Sequence, residues 1–154
     1  MSGILGQVGS RSGVLGSGTD STQLYYEEGT FPGVIKLGST TQSAAGATYW
    51  RYTRIGNVVH VWGESTTITK SGSGNLEIQG LPYNNVSGEM NINGQFRWNG
   101  VSSSQGVLVP VIGPGASTMT IQNLDTNGYN STINQNDVSS TFHIYSINAT
   151  YRTS

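Results

Sequence analysis

The alternation of apolar and polar positions is sharpest over residues 49–64, which read YWRYTRIGNVVHVWGE. Val59 and Val61 fall on one phase of a two-residue period and Trp62 on the other, as expected for a strand with two different faces. A Gly-Asn pair at residues 56–57 separates two runs rich in aromatic and β-branched side chains, and such pairs suit the two-residue turns that need positive φ. The pattern predicts a β-hairpin that turns at these two residues.

Further short runs with alternating or continuous apolar character follow one another along the rest of the chain, separated by Gly-, Asn- and Pro-containing turns. No run shows the 3.6-residue period of a helix. Pro32 is expected to interrupt the strand in which it lies or to confine it to an edge. The predicted fold is all-β, an antiparallel β-sandwich of jelly-roll-like type. The runs are residues 24–29, 30–37, 66–69, 75–82, 90–98, 107–112, 119–124 and 142–151.

Residues 1–20 differ from the remainder, because two apolar pairs bracketed by glycines lie ten residues apart and cannot form a core of their own. Two interpretations stand: a flexible tail, or an extended arm whose apolar side chains dock into a partner. The predicted organisation is an N-terminal arm over residues 1–20 followed by one sandwich domain over residues 21–154. The candidate anchoring residues are Ile4, Leu5, Val8, Arg11, Val14 and Leu15.

Composition narrows the classes of partner. The 154-residue chain has a net charge of −1 and only 10% charged residues, so it lacks the basic patch that nucleic acid or an anionic membrane would require. No apolar run reaches the ~20 residues that span a bilayer. The chain has no cysteine, so it can form no disulfide framework, and its redox compartment cannot be inferred.

Few residues in the sequence are candidates for catalysis or metal binding. Glu27 and Glu28 are adjacent, and neighbours in a strand point to opposite faces, so they cannot act together on one bond. His60 and His143 lie on different predicted strands without an evident third metal ligand. Gly72-Ser73-Gly74 falls in a hairpin loop rather than at the strand-to-helix turn of a nucleophilic serine. We therefore predict no catalytic residue, no metal site and no cofactor.

The aromatic side chains of the central strands offer a candidate interaction site. Trp50, Tyr52, Trp62 and Trp98 could stack on sugar rings if they gather on one exposed face. They could equally lie between subunits, where Trp and Tyr are enriched, and we favour this second interpretation.

Three ordered motifs resemble a β-sandwich module found in virion proteins of tailed bacteriophages. They are YEEGTF at residues 26–31, YTRIGN at residues 52–57 and GLP at residues 80–82, and the closing ATYRT at residues 149–153 extends the resemblance. It covers roughly residues 25–154. The chain departs from the module's pattern in having Pro-Gly after the aromatic residue of the first motif, and Arg54 where the module usually has lysine.

The resemblance implies a homotrimer without enzyme activity, located on the surface of the virion. With about 20 residues before the module, it favours a head fibre or capsid decoration protein held to capsid or tail proteins by the N-terminal arm. The alternative is the receptor-binding tip of a tail fibre that recognises host surface glycan. A polysaccharide-cleaving spike is less favoured, because the eight acidic residues are scattered among turns.

Overall fold

The computed structural model describes residues 26–90, 94–101, 106–125 and 130–154. Within these ranges the chain forms thirteen β-strands, and no helix there is long and apolar enough to cross a membrane. In chain order the strands are β1 (Tyr26–Thr30), β2 (Val34–Leu37), β3 (Thr40–Thr41), β4 (Ser43–Ala44), β5 (Tyr49–Ile55), β6 (Val58–Glu64), β7 (Ile68–Thr69), β8 (Leu76–Gln79), β9 (Gly94–Val101), β10 (Gly106–Ile112), β11 (Thr118–Asp125), β12 (Asn130–Thr132) and β13 (Val138–Arg152).

The strands form two antiparallel sheets. Sheet A has the order β1-β5-β6-β13-β7-β4, and β9 pairs with the free side of β13. Sheet B has the order β10-β11-β8-β2-β3, and β12 pairs with β11. The prediction of an all-β antiparallel sandwich is confirmed. The predicted arm over residues 1–20 lies outside the described residues, and its boundary with the domain stays a prediction.

The predicted hairpin is formed by β5 and β6. Ile55 lies opposite Val58, which leaves Gly56 and Asn57 as a two-residue turn. Gly56 has a φ of 59°, whereas no described residue other than glycine has a positive φ. Positive φ at the first central position alone is the pattern of a type II′ turn, whose twist matches that of the flanking strands. The turn therefore sets the register of both strands.

Pro32 interrupts the strand in which it lies, as predicted. β1 ends at Thr30 and β2 begins at Val34, and these two strands belong to different sheets. Because proline cannot donate a backbone hydrogen bond, the ladder stops there and the chain crosses from sheet A to sheet B.

One hydrophobic core fills the space between the sheets. Along β6 the burial alternates strictly, with Val59 and Val61 buried and their neighbours exposed, as the sequence period predicts. Leu76 and Ile78 do the same on β8 in the other sheet. Each large apolar side chain buried in this way contributes about 1.5–3 kcal/mol to folding. The largest fully buried side chains are Tyr151, Leu37, Ile68, Leu76, Ile78, Leu108, Ile112, Met119, Ile121, Ile144, Ile147 and Val59.

The Trp50 ring occupies a space that two glycines leave open. Gly63 lies directly opposite Trp50 in the hairpin, and a Cβ atom there would overlap the six-membered ring of the indole. A Cβ atom on Gly33 would lie 2.6 Å from Cγ of the same side chain. Phe31 covers the ring from a third side, at a centroid distance of 5.9 Å. Trp50 is therefore a core residue whose position requires glycine at both contacts.

We expect Gly63→Ala to lower the free energy of unfolding by about 1–3 kcal/mol, because the new methyl group and the Trp50 ring cannot both keep their places. Urea denaturation measures the change. Gly113→Ala is the matched control, since a Cβ atom there meets only the Ala116 Cβ at 4.0 Å. Equal stability of the two variants would show that the Trp50 ring has room to move.

Candidate interaction face

The four aromatic residues named from the sequence do not gather on one exposed face. Trp50 is only 5% exposed and lies in the core, so the prediction that it contacts sugar or another subunit is wrong. The physical reason is phase: Trp50 lies opposite Gly63 and points inward, whereas Trp62 lies opposite Arg51 and points outward. Trp62 is 37% exposed.

Trp98 and Tyr52 are half-buried on the inner side of sheet A. The Trp98 ring stacks on Phe96 at a centroid distance of 5.3 Å and an interplanar angle of 13°. Its Nε1–H donates a hydrogen bond to the Val101 carbonyl oxygen at 2.5 Å. These contacts hold the Trp98 ring against the core, and Tyr52 also packs against the core. Trp62 is therefore the one of the four aromatic residues whose side chain is substantially exposed.

The proposed anchoring residues lie outside the described residues, so their role stays a prediction: Ile4, Leu5, Val8, Arg11, Val14 and Leu15.

We call the solvent-facing side of β1, β5, β6, β13 and β9 the outer face of sheet A. Two open recesses lie on this face near Trp62, and both are lined by Trp62 and Arg51. The first has a volume of about 380 Å³ and is also lined by Tyr49, Glu64 and Tyr145. The second, of about 350 Å³, is lined by the β1 segment 28–30 and by Tyr52. Trp62 is thus a ridge between two shallow depressions.

Neighbouring side chains hold the aromatic groups of this face in place. The His60 ring stacks on Trp62 at a centroid distance of 5.5 Å, and its Nδ1 lies 2.9 Å from the Thr150 hydroxyl oxygen. His143 packs on Tyr145 at 4.2 Å, and the Arg97 guanidinium lies 5.3 Å from the centre of the same tyrosine ring. Both histidines therefore support aromatic neighbours. The described residues contain no group of three or more His, Cys, Asp or Glu that could hold a metal ion.

The two adjacent glutamates point to opposite sides of β1, as the sequence predicts. Glu28 is exposed, and its carboxylate accepts a hydrogen bond from the Tyr26 hydroxyl at 2.8 Å. Glu27 faces the opposite way and accepts hydrogen bonds from the hydroxyl groups of Tyr52 and Tyr83. The two carboxylates accept hydrogen bonds from different groups on opposite sides of β1, so they form no acid–base pair.

The Glu27 carboxylate raises the pKa of the Tyr52 hydroxyl well above its usual value of 10.0, and burial raises it further. The hydrogen bond favours the protonated phenol, and a phenolate beside a carboxylate would be repelled. The Arg54 guanidinium lies 4.5 Å from the centre of the Tyr83 ring and adds a cation–π contact. This cluster ties β1 and β5 to the loop after β8.

Counting residue pairs outward from the turn identifies, from the sequence alone, which side chains of the hairpin share the outer face. With the turn at residues 56–57, Trp62 falls opposite Arg51 and Tyr49 falls opposite Glu64. The sequence reasoning grouped the tryptophans by residue type rather than by phase, and so missed Tyr49, Arg51 and Glu64. Tyr145 could not be found in this way, because a bulge between Ile144 and Ser146 shifts the register of β13 against β9.

The two antiparallel sheets and the core between them place the chain in the class of antiparallel β-sandwich proteins. A comparison with solved structures finds a crystal structure of the Dettilon tailspike protein (gp208), with a TM-score of 0.66 and 17% sequence identity. The match covers 82% of this chain and 24% of the tailspike chain, so the sandwich spans about a quarter of that protein's length. At this identity the likeness establishes a shared fold. No protein-family model and no curated protein sequence matches the chain.

The Tyr52–Glu27 contact predicts a stability that depends on pH in the alkaline range. Because the Tyr52 pKa in the folded chain exceeds the unfolded value of 10.0, its contribution is complete below pH 10 and is lost as the pH rises toward the folded pKa. We expect Tyr52→Phe to reduce the slope of that loss above pH 10 by up to about 1.4 kcal/mol per pH unit, the value for one proton.

Urea unfolding at a series of pH values from 8 to 11 measures this slope. Tyr151, whose pKa is also raised, mainly by burial, remains in both proteins, so some alkaline loss persists in the variant. An identical slope with and without the Tyr52 hydroxyl would contradict the assignment.

Proposed function

We propose that this chain is a structural protein of a bacteriophage virion, displayed on the particle surface as a homotrimer. The sandwich shared with a phage tailspike protein supports this proposal most directly. The motifs at residues 26–31, 52–57 and 80–82 support it independently, because they resemble modules of tailed-phage virion proteins. The finer assignment that we favour is a head fibre or capsid decoration protein.

In this proposal the two parts of the chain have different tasks. The sandwich over residues 21–154 projects outward, and the glycine-bracketed apolar pairs of residues 1–20 insert between capsid or tail proteins. An arm of this composition gains stability only by burying its apolar side chains against a partner, because it is too short and too rich in glycine to bury them against itself.

We also propose that the chain acts by binding rather than by catalysis. A glycoside-cleaving site of the usual kind needs two carboxyl groups facing one bond, about 5–10 Å apart. Glu27 is engaged by two tyrosine hydroxyls, and Glu28 points away from it. This arrangement favours a structural use of the acidic residues of β1.

A second candidate function is recognition of host surface glycan, as in the receptor-binding tip of a tail fibre. The observation that favours it is the exposed Trp62 ring between two recesses, with Arg51 at the border of both. A recess of about 380 Å³ can hold one or two sugar rings, and polar groups beside an aromatic platform are what a sugar requires. A glycan array with the wild-type chain and Trp62→Ala tests it: selective binding that the substitution abolishes supports recognition at this site.

We expect the purified chain to have three times the single-chain mass of 16.3 kDa at micromolar concentration. Sedimentation equilibrium or light scattering measures this mass. A monomer at that concentration would contradict the proposed trimer.

We expect a chain that lacks residues 1–20 to fold normally and to be lost from assembled particles, because the arm supplies the attachment and the sandwich has its own core. Circular dichroism verifies the fold, and the protein content of purified particles measures incorporation. As a control, Ile4→Val with Leu15→Met keeps the arm apolar and should keep incorporation. Full incorporation of the truncated chain would contradict the anchoring role.

A further inference from the structure

The exposed apolar side chains of this protein are concentrated on one surface. Eight large apolar or aromatic side chains are exposed among the described residues, and six of them lie on the outer face of sheet A. The other two, Met90 and Val107, lie outside that face. Monomeric proteins rarely expose a large contiguous apolar patch without a function for it. The six are Tyr26, Tyr49, Ile55, Val58, Trp62 and Tyr145.

Strand register gathers these side chains into two clusters at opposite ends of the β5–β6 hairpin. At the hairpin end, Tyr26 lies opposite Ile55, and Ile55 lies opposite Val58, so three neighbouring strands carry a row of apolar side chains. At the other end Tyr49 and Tyr145 line the recess beside Trp62. Directly paired residues in an antiparallel sheet have their side chains on the same face, about 4.5–5.5 Å apart, so the row of Tyr26, Ile55 and Val58 forms an unbroken apolar surface.

The charges on this face are of both signs. Arg51, Arg97 and Arg152 lie on the same face as Glu28 and Glu64, and Arg152 also forms an ion pair with Glu89 at 2.9 Å. Around a threefold axis, each copy can set the arginines of this face against the glutamates of a neighbouring copy. A strongly charged partner would find no matching field here.

The size of the face also favours a protein partner. Five strands at about 4.8 Å spacing and about seven residues at roughly 3.4 Å each give a face of about 24 Å by 24 Å, or about 600 Å² of projected area per copy. Three such faces that meet around a threefold axis would bury about 1,800 Å² in all, an extent more typical of protein association than of a small-ligand site. A sugar bound at Trp62 would leave the Tyr26–Ile55–Val58 row uncovered, and aliphatic side chains contribute little to sugar recognition.

We infer that the outer face of sheet A is the surface through which copies of this chain pack against one another. The inference rests on the proposed homotrimer and adds the surface through which its copies associate. The aromatic side chains around Trp62 and the row of Tyr26, Ile55 and Val58 beside the turn form the two apolar parts of the contact. Arginine and glutamate side chains of opposite copies pair around them.

Two exposed valines on strands of different sheets give a matched test. Val58 lies on the outer face of sheet A and is 42% exposed, and Val107 lies on β10 of sheet B and is 66% exposed. Sedimentation of the full chain is measured for the wild type, Val58→Glu and Val107→Glu. We expect the wild type and Val107→Glu to keep the oligomeric mass, and Val58→Glu to dissociate at a concentration at least tenfold higher than theirs. The contact would bury the new carboxylate, and the cost of desolvating it opposes association even with Arg152 directly opposite.

Thiol labelling provides a second measurement that does not depend on a charged substitution. The natural chain has no cysteine, so Val58→Cys and Val107→Cys each introduce a single thiol. In the native oligomer we expect Val58→Cys to react with a neutral maleimide at least tenfold more slowly than Val107→Cys. In denaturant the two rates should be equal.

Three outcomes separate the inference from the proposal on which it rests. Slow labelling at position 58 with loss of mass in Val58→Glu supports the inference. Equal native labelling rates in a stable oligomer would overturn it and leave the oligomer, which must then use another surface. A monomeric wild-type chain would overturn both, and selective glycan binding that Trp62→Ala abolishes would then assign the face to sugar.

Discussion

The register of the β5–β6 hairpin is the constraint on which the rest of the structure depends. A two-residue turn at Gly56 and Asn57 places Trp50 opposite Gly63 and Trp62 opposite Arg51. A shift by one residue would move every side chain of a strand to the other face. The Trp50 ring fits only where Gly33 and Gly63 leave space for it, so packing in the core and geometry of the turn select the same register.

From this register follow two faces with different roles. The inner face carries Val59, Val61 and Trp50, which close the core against sheet B. The outer face carries aromatic and aliphatic side chains that are exposed among the described residues, and burying them would be favourable. This division of faces gives the chain one hydrophobic core and an exposed apolar surface among its described residues.

Polar contacts tie the edge of sheet A to the sandwich. Glu27 on the edge strand accepts hydrogen bonds from Tyr52 on the next strand and from Tyr83 in the loop after β8. The Tyr151 hydroxyl in turn donates to the Tyr83 carbonyl oxygen at 2.9 Å, which links that loop to β13. Side-chain contacts of this kind keep β1 in place beside the surface proposed for association.

Four features follow from local sequence: the fold class, the hairpin, the break at Pro32 and the separation of Glu27 from Glu28. Each depends on local chemistry, namely the two-residue period, positive φ at glycine and the missing N–H of proline. The register counted from the turn also indicates that Trp50 and Trp62 lie on opposite faces, because residues 50 and 63 pair and residues 51 and 62 pair. Only tertiary structure decided which residues of distant strands meet, such as Tyr83 on Glu27 and Tyr145 beside Trp62. Those contacts depend on strand order and on a bulge in β13, and neither has a signature in local sequence.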